Sequence, residues 1–256
     1  MRRIRMVIEY DGTNYVGWQT QPNGVAVQAL IEGALEKVTG ERIVLHGSGR
    51  TDSGVHARAQ VAHFDTGARM AADKFAFALN TFLPRDIRVL RSEETSEEFH
   101  ARFNAKDKQY RYTVQLGPHS RVFTRNTALH LHHKPDLAAM QRAAADVVGE
   151  HDFRAFMSAG VTMENTVRTV YRSAWTQEGD LLYYDVAGSG FLYNMVRILV
   201  GTMLEIGSGK RGEDAIRLAL ESRDRSDAGA TAPAHGLMLY RVRYADFDTA
   251  EVLDRL

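Results

Sequence analysis

Gly49-Arg50-Thr51-Asp52-Ser53-Gly54-Val55-His56-Ala57 is the stretch from which the rest of this chain can be read. A short apolar run at 43–45 precedes it and a longer one at 59–64 follows it. Each reads as a strand. The quoted stretch between them holds one acid, one arginine and two glycines ahead of its Val-His-Ala end. Glycine admits tight and left-handed turns that a Cβ would block. A lone carboxylate, Asp52, is thus raised on a loop held between strands, and loops on rigid elements are where catalytic groups concentrate. A plain hairpin with a turn aspartate fits the same letters. What the rest of the chain offers Asp52 decides between the two.

Working outward, residues 3–10 alternate as a strand, and 11–19 form a loop rich in glycine and aromatic residues. Residues 27–38 place Val27, Leu30, Ile31, Ala34, Leu35 and Val38 at helical spacing. Residues 71–82 read as a helix with Phe75, Ala78, Leu79 and Phe82 on one side, and 87–90 as a strand. The order is β-α-β-β-α-β, the ferredoxin-like pattern. In the second half come a strand at 109–116 and a helix at 137–148 opened by Pro135-Asp136. A hairpin of 167–175 with 181–186 turns at Glu178-Gly179-Asp180. A long helix from Gly190, a short one at 213–220 and a closing strand at 237–244 complete the repeat, with one helix in excess. The expected fold class is α+β. Two ferredoxin-like halves, 1–105 with the Asp52 loop and 106–256 with the helix of Arg197, form a broad, mostly antiparallel sheet. Helices pack on that sheet, and a cleft between the halves would take a large substrate.

Composition narrows the function classes. The chain has 256 residues, 44% of them hydrophobic, and no cysteine. Disulfides, thiol catalysis and thiolate metal sites are excluded. No run is long and apolar enough to span a bilayer. The basic start, 1–5, lacks the apolar segment of a signal peptide, so a cytoplasmic protein is expected. Basic and acidic side chains balance at 32 each. That total argues against a uniformly basic RNA binder but permits a local positive cleft.

The helix read at 190–206 is apolar on most of its circumference, through Phe191, Leu192, Met195, Val196, Ile198, Leu199, Val200, Met203 and Leu204. Such a helix is buried. Asn194, Arg197 and Gly201 form one narrow stripe on it. Burying an unpaired charge costs several kcal/mol, so Arg197 needs a partner. Asp52 is the best-placed carboxylate, and a nearby arginine would hold it ionised. Snorkelling of Arg197 to the surface is the competing reading.

These residues resemble a family. The stretch 49–57 is similar to the signature of TruA-type tRNA pseudouridine synthases. Tyr10-Asp11-Gly12 with Tyr15, Gly17, Trp18 and Gln19 resembles the family's opening loop. The segments Phe99-His100-Ala101-Arg102-Phe103 and Lys108-Gln109-Tyr110-Arg111-Tyr112 resemble its middle. Asn194-Met195-Val196-Arg197 with Val200-Gly201 resembles its long helix, and Ala232-Pro233 with Gly236-Leu237 its closing motif. The blocks fall in the family's order over nearly the whole chain. Ala234 and Lys108 depart from it, standing where proline and arginine are common.

The resemblance implies an isomerase that converts uridine to pseudouridine at positions 38, 39 and 40 of the tRNA anticodon stem-loop. It implies a homodimer without a cofactor. Asp52 matches the catalytic aspartate and Arg197 its paired arginine. Tyr110 matches the tyrosine stacked on the target base. Arg50 matches the residue that fills the space left by the flipped base, and Leu237 an apolar pocket wall. Phosphate contacts are expected from Arg58, Arg102, Lys106, Lys108 and Arg111. Tyr110 and Tyr112 share a strand face, so spacing alone does not choose between them. A non-catalytic RNA-binding protein is the alternative, but the G-F/Y-G/A-F-V pattern of RNA-binding sheets is absent. A magnesium-dependent hydrolase would want a second acid near Asp52, and none is adjacent. His130, His132 and His133 read as solvated histidines rather than a metal site.

Overall fold

The structure is a computed structural model that describes residues 1–254. Ten strands and six helices follow one another along the described residues. In chain order they are β1 (Arg2–Tyr10), α1 (Val27–Thr39), β2 (His46–Gly47), β3 (His56–Thr66), α2 (Lys74–Asn80), β4 (Ile87–Thr95), β5 (Asp107–Leu116) and β6 (Leu129–Leu131). Then come α3 (Leu137–Ala145), β7 (Gly149–Asp152), β8 (Val167–Glu178), β9 (Leu181–Gly188), α4 (Met195–Gly207), α5 (Ala215–Ser222), β10 (Leu237–Arg243) and α6 (Thr249–Leu253). The α+β class expected from the sequence is the class observed. Two compact units emerge: Met1–Lys108 with the chain from Met238 onward, and Gln109–Leu237. The expected division was 1–105 and 106–256. The closing strand joins the first unit because Met238 and Leu239 pair in parallel with His56 and Ala57.

In the first unit the strand order is β4-β1-β3-β10, with β2 on β3. β1 runs antiparallel to both neighbours. β3 is buried at almost every position, as a strand covered on both faces must be. β4 continues past the expected 87–90 to Thr95, and its added length carries Arg91, Glu93 and Glu94. Charges of this kind suit an edge strand. α1 buries Val27, Ile31, Ala34 and Leu35 and ends at Gly40, whose φ of 74° closes the helix.

Two expectations change here. Residues 43–45 are not a strand. Leu45 N–H donates to Glu32 Oε1 at 3.0 Å, and Gln28 Nε2 donates to Leu45 O at 3.0 Å. Side chains of α1 thus take backbone groups that a neighbouring strand would otherwise need. α2 is shorter than 71–82 and buries Phe75, Ala76 and Leu79. Phe82 lies beyond its end and is half exposed, because the chain has turned toward Pro84.

In the second unit the order is β5-β9-β8-β7, with β6 parallel to β5. β8 and β9 form the expected hairpin, Trp175 opposite Tyr184, and Gly179 supplies the turn with φ 61°. β7 is an added strand on β8. α3 starts as expected, with Asp136 Oδ1 accepting from Ala139 N–H at 3.0 Å. α4 does not begin at Gly190. Asn194 stands just before it in the left-handed region, φ 60°, so the regular helix opens at Met195. From there it is buried on almost every side. The stripe of Asn194, Arg197 and Gly201 receives the segment 228–232. Ala232 N–H donates to Arg197 O at 3.0 Å. A Cβ on Gly201 would lie 1.7 Å from Ala230 O, so only glycine permits this crossing.

Candidate active site

Asp52 sits on the loop between β2 and β3, and that loop is clamped from several directions within the first unit. Beneath it, Ser48 Oγ donates to Gln60 Oε1 at 2.6 Å, and Gln60 Nε2 donates to Gly49 O at 2.8 Å. Ser48 and Gln60 are fully buried. A satisfied polar pair of this kind fixes geometry, since leaving either partner unpaired would be costly. The opening loop, 11–19, supplies the second set of bonds. Trp18 N–H donates to Thr51 O at 3.1 Å. The buried Tyr10 hydroxyl lies 2.7 Å from Thr51 Oγ1. Gly54 N–H and Ser53 Oγ both donate to Tyr15 O, at 3.3 and 3.2 Å. Val55 N–H closes the turn on Asp52 O at 3.1 Å.

Glycines make this close approach possible. A Cβ on Gly12 would stand 2.1 Å from Val55 O, and one on Gly17 would stand 2.5 Å from Thr51 O. Gly17 also has φ 109°. Gly12→Ala is therefore expected to push the two loops apart, costing about 2–4 kcal/mol of stability. Urea melts of both proteins measure it; an unchanged midpoint would mean that the loops do not need this contact.

At the base of the loop Gly12 N–H donates to the buried His56 Nδ1 at 2.9 Å, and Asp11 Oδ1 lies 3.1 Å from the same nitrogen. Burial pushes the Asp11 carboxyl up. Hydrogen bonds from the Thr13 hydroxyl and amide lead the groups that outweigh it and hold Asp11 below the usual range.

The other sequence-predicted residues are placed as follows. Arg50 is exposed on the loop, and Asp52 is half-buried. Tyr110 is buried on β5, its ring edge-on to Phe191 at 5.2 Å. Tyr112 donates its hydroxyl to Pro233 O at 2.9 Å and packs against Gly236. It is wholly inaccessible, and Tyr110 is also buried. Leu237 is buried at the start of β10. Arg197, in the first turn of α4, donates from Nε to Ala232 O at 2.7 Å and from Nη1 to Asn194 Oδ1 at 2.8 Å. A cation at a helix N-terminus opposes the helix dipole, so these acceptors offset an unfavourable position.

The phosphate candidates divide. Arg102 and Lys106 are exposed. Arg58 lies over the Tyr240 ring, 4.9 Å from its centroid. Arg111 is held by the buried Asp185 in two bonds of 2.9 and 2.8 Å, so its charge is already matched. Lys108 is half-buried and donates to Ser48 O, beneath the Asp52 loop. Burial, with Arg102 adding repulsion, lowers its ammonium to about 8.

That shift has a definite sign. Between about pH 8 and the ordinary lysine value of 10.5 the unfolded chain holds this proton and the folded chain does not. Stability from this group therefore rises with pH across that window. Lys108→Met is expected to lose the rise, as urea melts from pH 7 to 10 would show; an identical pH slope in both proteins would contradict it.

Some site residues were not singled out from the sequence: Ser48, Gln60 and Thr51. A glutamine inside the apolar run 59–64 was the available signal for the buried polar pair. His130 Nε2 lies 2.7 Å from Gly117 O. Among the described residues no group of three or more His, Cys, Asp or Glu is arranged to hold a metal. Nor is any described helix long and apolar enough to cross a membrane.

Comparison with known proteins gives this geometry a context. The family model for tRNA pseudouridine synthases matches residues 6–104 and 143–245. A tRNA pseudouridine synthase A of Brevibacillus brevis is 49% identical over 244 residues, covering 95% of this chain and all of the relative. That of Ruminiclostridium cellulolyticum is 47% identical over 245 residues, with the same coverage. That of Citrifermentans bemidjiense is 47% identical over 247 residues, covering 96% of this chain and 99% of the relative. The matched region contains the whole Asp52 loop and the opening loop that clamps it, and on this evidence the chain belongs to the tRNA pseudouridine synthase family.

Proposed function

We propose that this chain isomerises uridine to pseudouridine at positions 38, 39 and 40 of the tRNA anticodon stem-loop, with Asp52 as the catalytic carboxylate. The observation that carries the reading is the clamped loop around Asp52, set inside the region matched by the family model. The reaction breaks the bond from C1′ to N1 of uracil and forms one from C1′ to C5. The hydrogen on C5 is lost and N1 gains one, so atoms and electrons balance within the nucleotide and no cofactor is called for.

An ionised Asp52 can attack C6, attack C1′, or remove the ribose 2′ proton. Each route needs a fixed, charged carboxylate, and fixed geometry is what the loop's bonds supply. In this proposal Arg197 is the cation that keeps Asp52 ionised. The target base must first leave its stack, at a cost of a few kcal/mol. Tyr110 would recover part of that by stacking on the base. Arg50, exposed on the loop, would occupy the vacated space, and Leu237 would wall the pocket. Arg58, Arg102 and Lys106 are the better phosphate candidates. Arg111 and Lys108 are already engaged within their own units. The protein would work as a cytoplasmic homodimer, reading RNA by shape so that one site serves adjacent uridines.

The test is incubation of uridine-containing tRNA with the purified protein alone, followed by nucleoside analysis and mapping. Pseudouridine at 38–40 is the expected product. No pseudouridine would overturn the reading, and pseudouridine elsewhere would overturn the site assignment.

A further inference from the structure

The segment that follows β4 presents an aromatic ring to solvent on a rigid mount. Phe103 is 75% exposed. It does not stand on a loose loop. Its ring is stacked on His100, centroids 4.2 Å apart and planes 29° from parallel. His100 in turn meets His63 edge-on at 4.7 Å, and His63 stacks on His46 at 5.0 Å.

The backbone beneath is tied at successive residues. Arg3 donates to Phe99 O at 2.9 Å. His100 N–H donates to Asn104 Oδ1, and Asn104 N–H donates back to His100 O at 3.0 Å. Ala101 N–H donates to His63 Nδ1 at 3.2 Å, and the Tyr244 hydroxyl donates to Ala101 O at 2.6 Å. The amides of Arg102 and Phe103 both donate to His100 Nδ1, at 3.1 and 3.3 Å. So many bonds around an exposed apolar ring fix its orientation before anything binds, and preorganisation of this kind lowers the cost of association.

The surroundings say what the ring is for. The Arg102 guanidinium lies 5.9 Å from the Phe103 centroid and is exposed, as is Lys106 three residues on. Arg102 is also close enough to Lys108, which holds Ser48 O under the Asp52 loop, to repel its charge. The platform and the loop that carries Asp52 belong to the same unit. Burial, with the Arg3 guanidinium among the groups adding to it, lowers His63 to about 4; burial also lowers His100.

An aromatic face with cations at its edge is the chemistry that takes an unpaired nucleobase and its phosphate. We propose that Phe103, backed by His100, is a stacking platform for an unpaired base of the RNA substrate, with Arg102 and Lys106 taking the adjoining phosphates. This is a second base position, apart from the one assigned to Tyr110, and it rests on the pseudouridine synthase reading.

The experiment uses an anticodon stem-loop RNA in which 2-aminopurine replaces one loop base at a time. It compares the full-length protein with Phe103→Tyr, Phe103→Leu and Phe103→Ala. Stacking quenches 2-aminopurine, so one position is expected to quench with the unaltered protein and with Phe103→Tyr. With Phe103→Leu, which keeps apolar bulk but has no ring, the quench is lost. Affinity for the stem-loop falls about tenfold or more in the Leu and Ala variants. Unchanged affinity in Phe103→Ala overturns the proposal. So does a Leu variant that binds as well as the unaltered protein, because bulk alone would then suffice. A change of oligomeric state in Phe103→Ala without RNA also overturns it, making the ring a protein contact. Pseudouridine formation by the unaltered protein on whole tRNA is read in parallel. If it forms none, the functional reading has failed; if it forms pseudouridine while the variants bind normally, only the platform has failed.

Discussion

Asp52→Asn is expected to lower pseudouridine formation by about 10⁴-fold or more while leaving tRNA binding largely intact. The amide has nearly the shape of the carboxylate but is neither a nucleophile nor a base at neutral pH. The bonds that hold the loop run through Thr51, Ser53, Gly54 and the backbone of Asp52. The replacement leaves those bonds in place, and the binding measurement separates lost chemistry from a displaced loop. Nucleoside analysis of tRNA after prolonged incubation measures the rate, and a filter-binding titration measures affinity. Turnover close to that of the unaltered protein would remove Asp52 from the reaction. Loss of binding together with turnover would instead make it a structural residue.

The second large effect is expected from Arg197→Met, through two separable routes. The first is stability. Arg197 makes charge-assisted hydrogen bonds to Ala232 O and Asn194 Oδ1, and these tie the segment 228–232 to the first turn of α4. Their loss leaves a carbonyl and an amide oxygen without that donor, at a cost of about 2–4 kcal/mol. The second is the pH profile. A cation favours the charged form of a neighbouring carboxylate and so keeps its pKa low. If Arg197 does this for Asp52, its removal raises that pKa, and the acid limb of the pH–rate profile moves to higher pH. Activity is then lost progressively as pH falls from neutral. Arg197→Lys keeps the charge and should hold the acid limb near its original place. Equal stability of Arg197→Met and the unaltered protein would contradict the first route. An unmoved acid limb would contradict the second.

The two residues show how differently a sequence exposes its content. Asp52 is legible because a glycine-flanked acid between two apolar runs is a local pattern. Arg197 is legible as an anomaly, a single cation on a helix otherwise apolar. Its acceptor in the second unit is not legible, because Ala232 is 35 residues away in sequence and offers only a backbone carbonyl. Any residue could carry that carbonyl, so no letter announces it. The stripe of Asn194, Arg197 and Gly201 was visible as spacing. That it is a groove for 228–232 depends on where that segment runs.

Element boundaries divide in the same way. The start of α3 was predictable since Asp136 caps it through its own side chain. The start of α4 was not, because Asn194 adopts a left-handed backbone that glycine more often takes. Residues 43–45 have the right pattern for a strand, Ile43 and Leu45 buried and Val44 exposed. Glu32 and Gln28 reach Leu45 from α1 and take its hydrogen bonds, an outcome that depends on tertiary position. Phe103 belongs in the sequence to a segment that resembles the family's middle, but its stacking on His100 and its exposure appear only in the structure.

By itself, then, the sequence determined the α+β class, the hairpin of β8 with β9, and the two ionisable residues on which the proposed chemistry turns. Hydrophobic period, glycine placement and capping act over a few residues, and the letters record them directly. Tertiary structure alone decided that the closing strand joins the first unit, that the Tyr112 hydroxyl is taken by Pro233 O, and that Arg111 and Lys108 are engaged by Asp185 and Ser48. Each of those outcomes is a hydrogen bond, an ion pair or a buried surface between residues far apart in the chain, where the partner's position rather than its identity sets the energy.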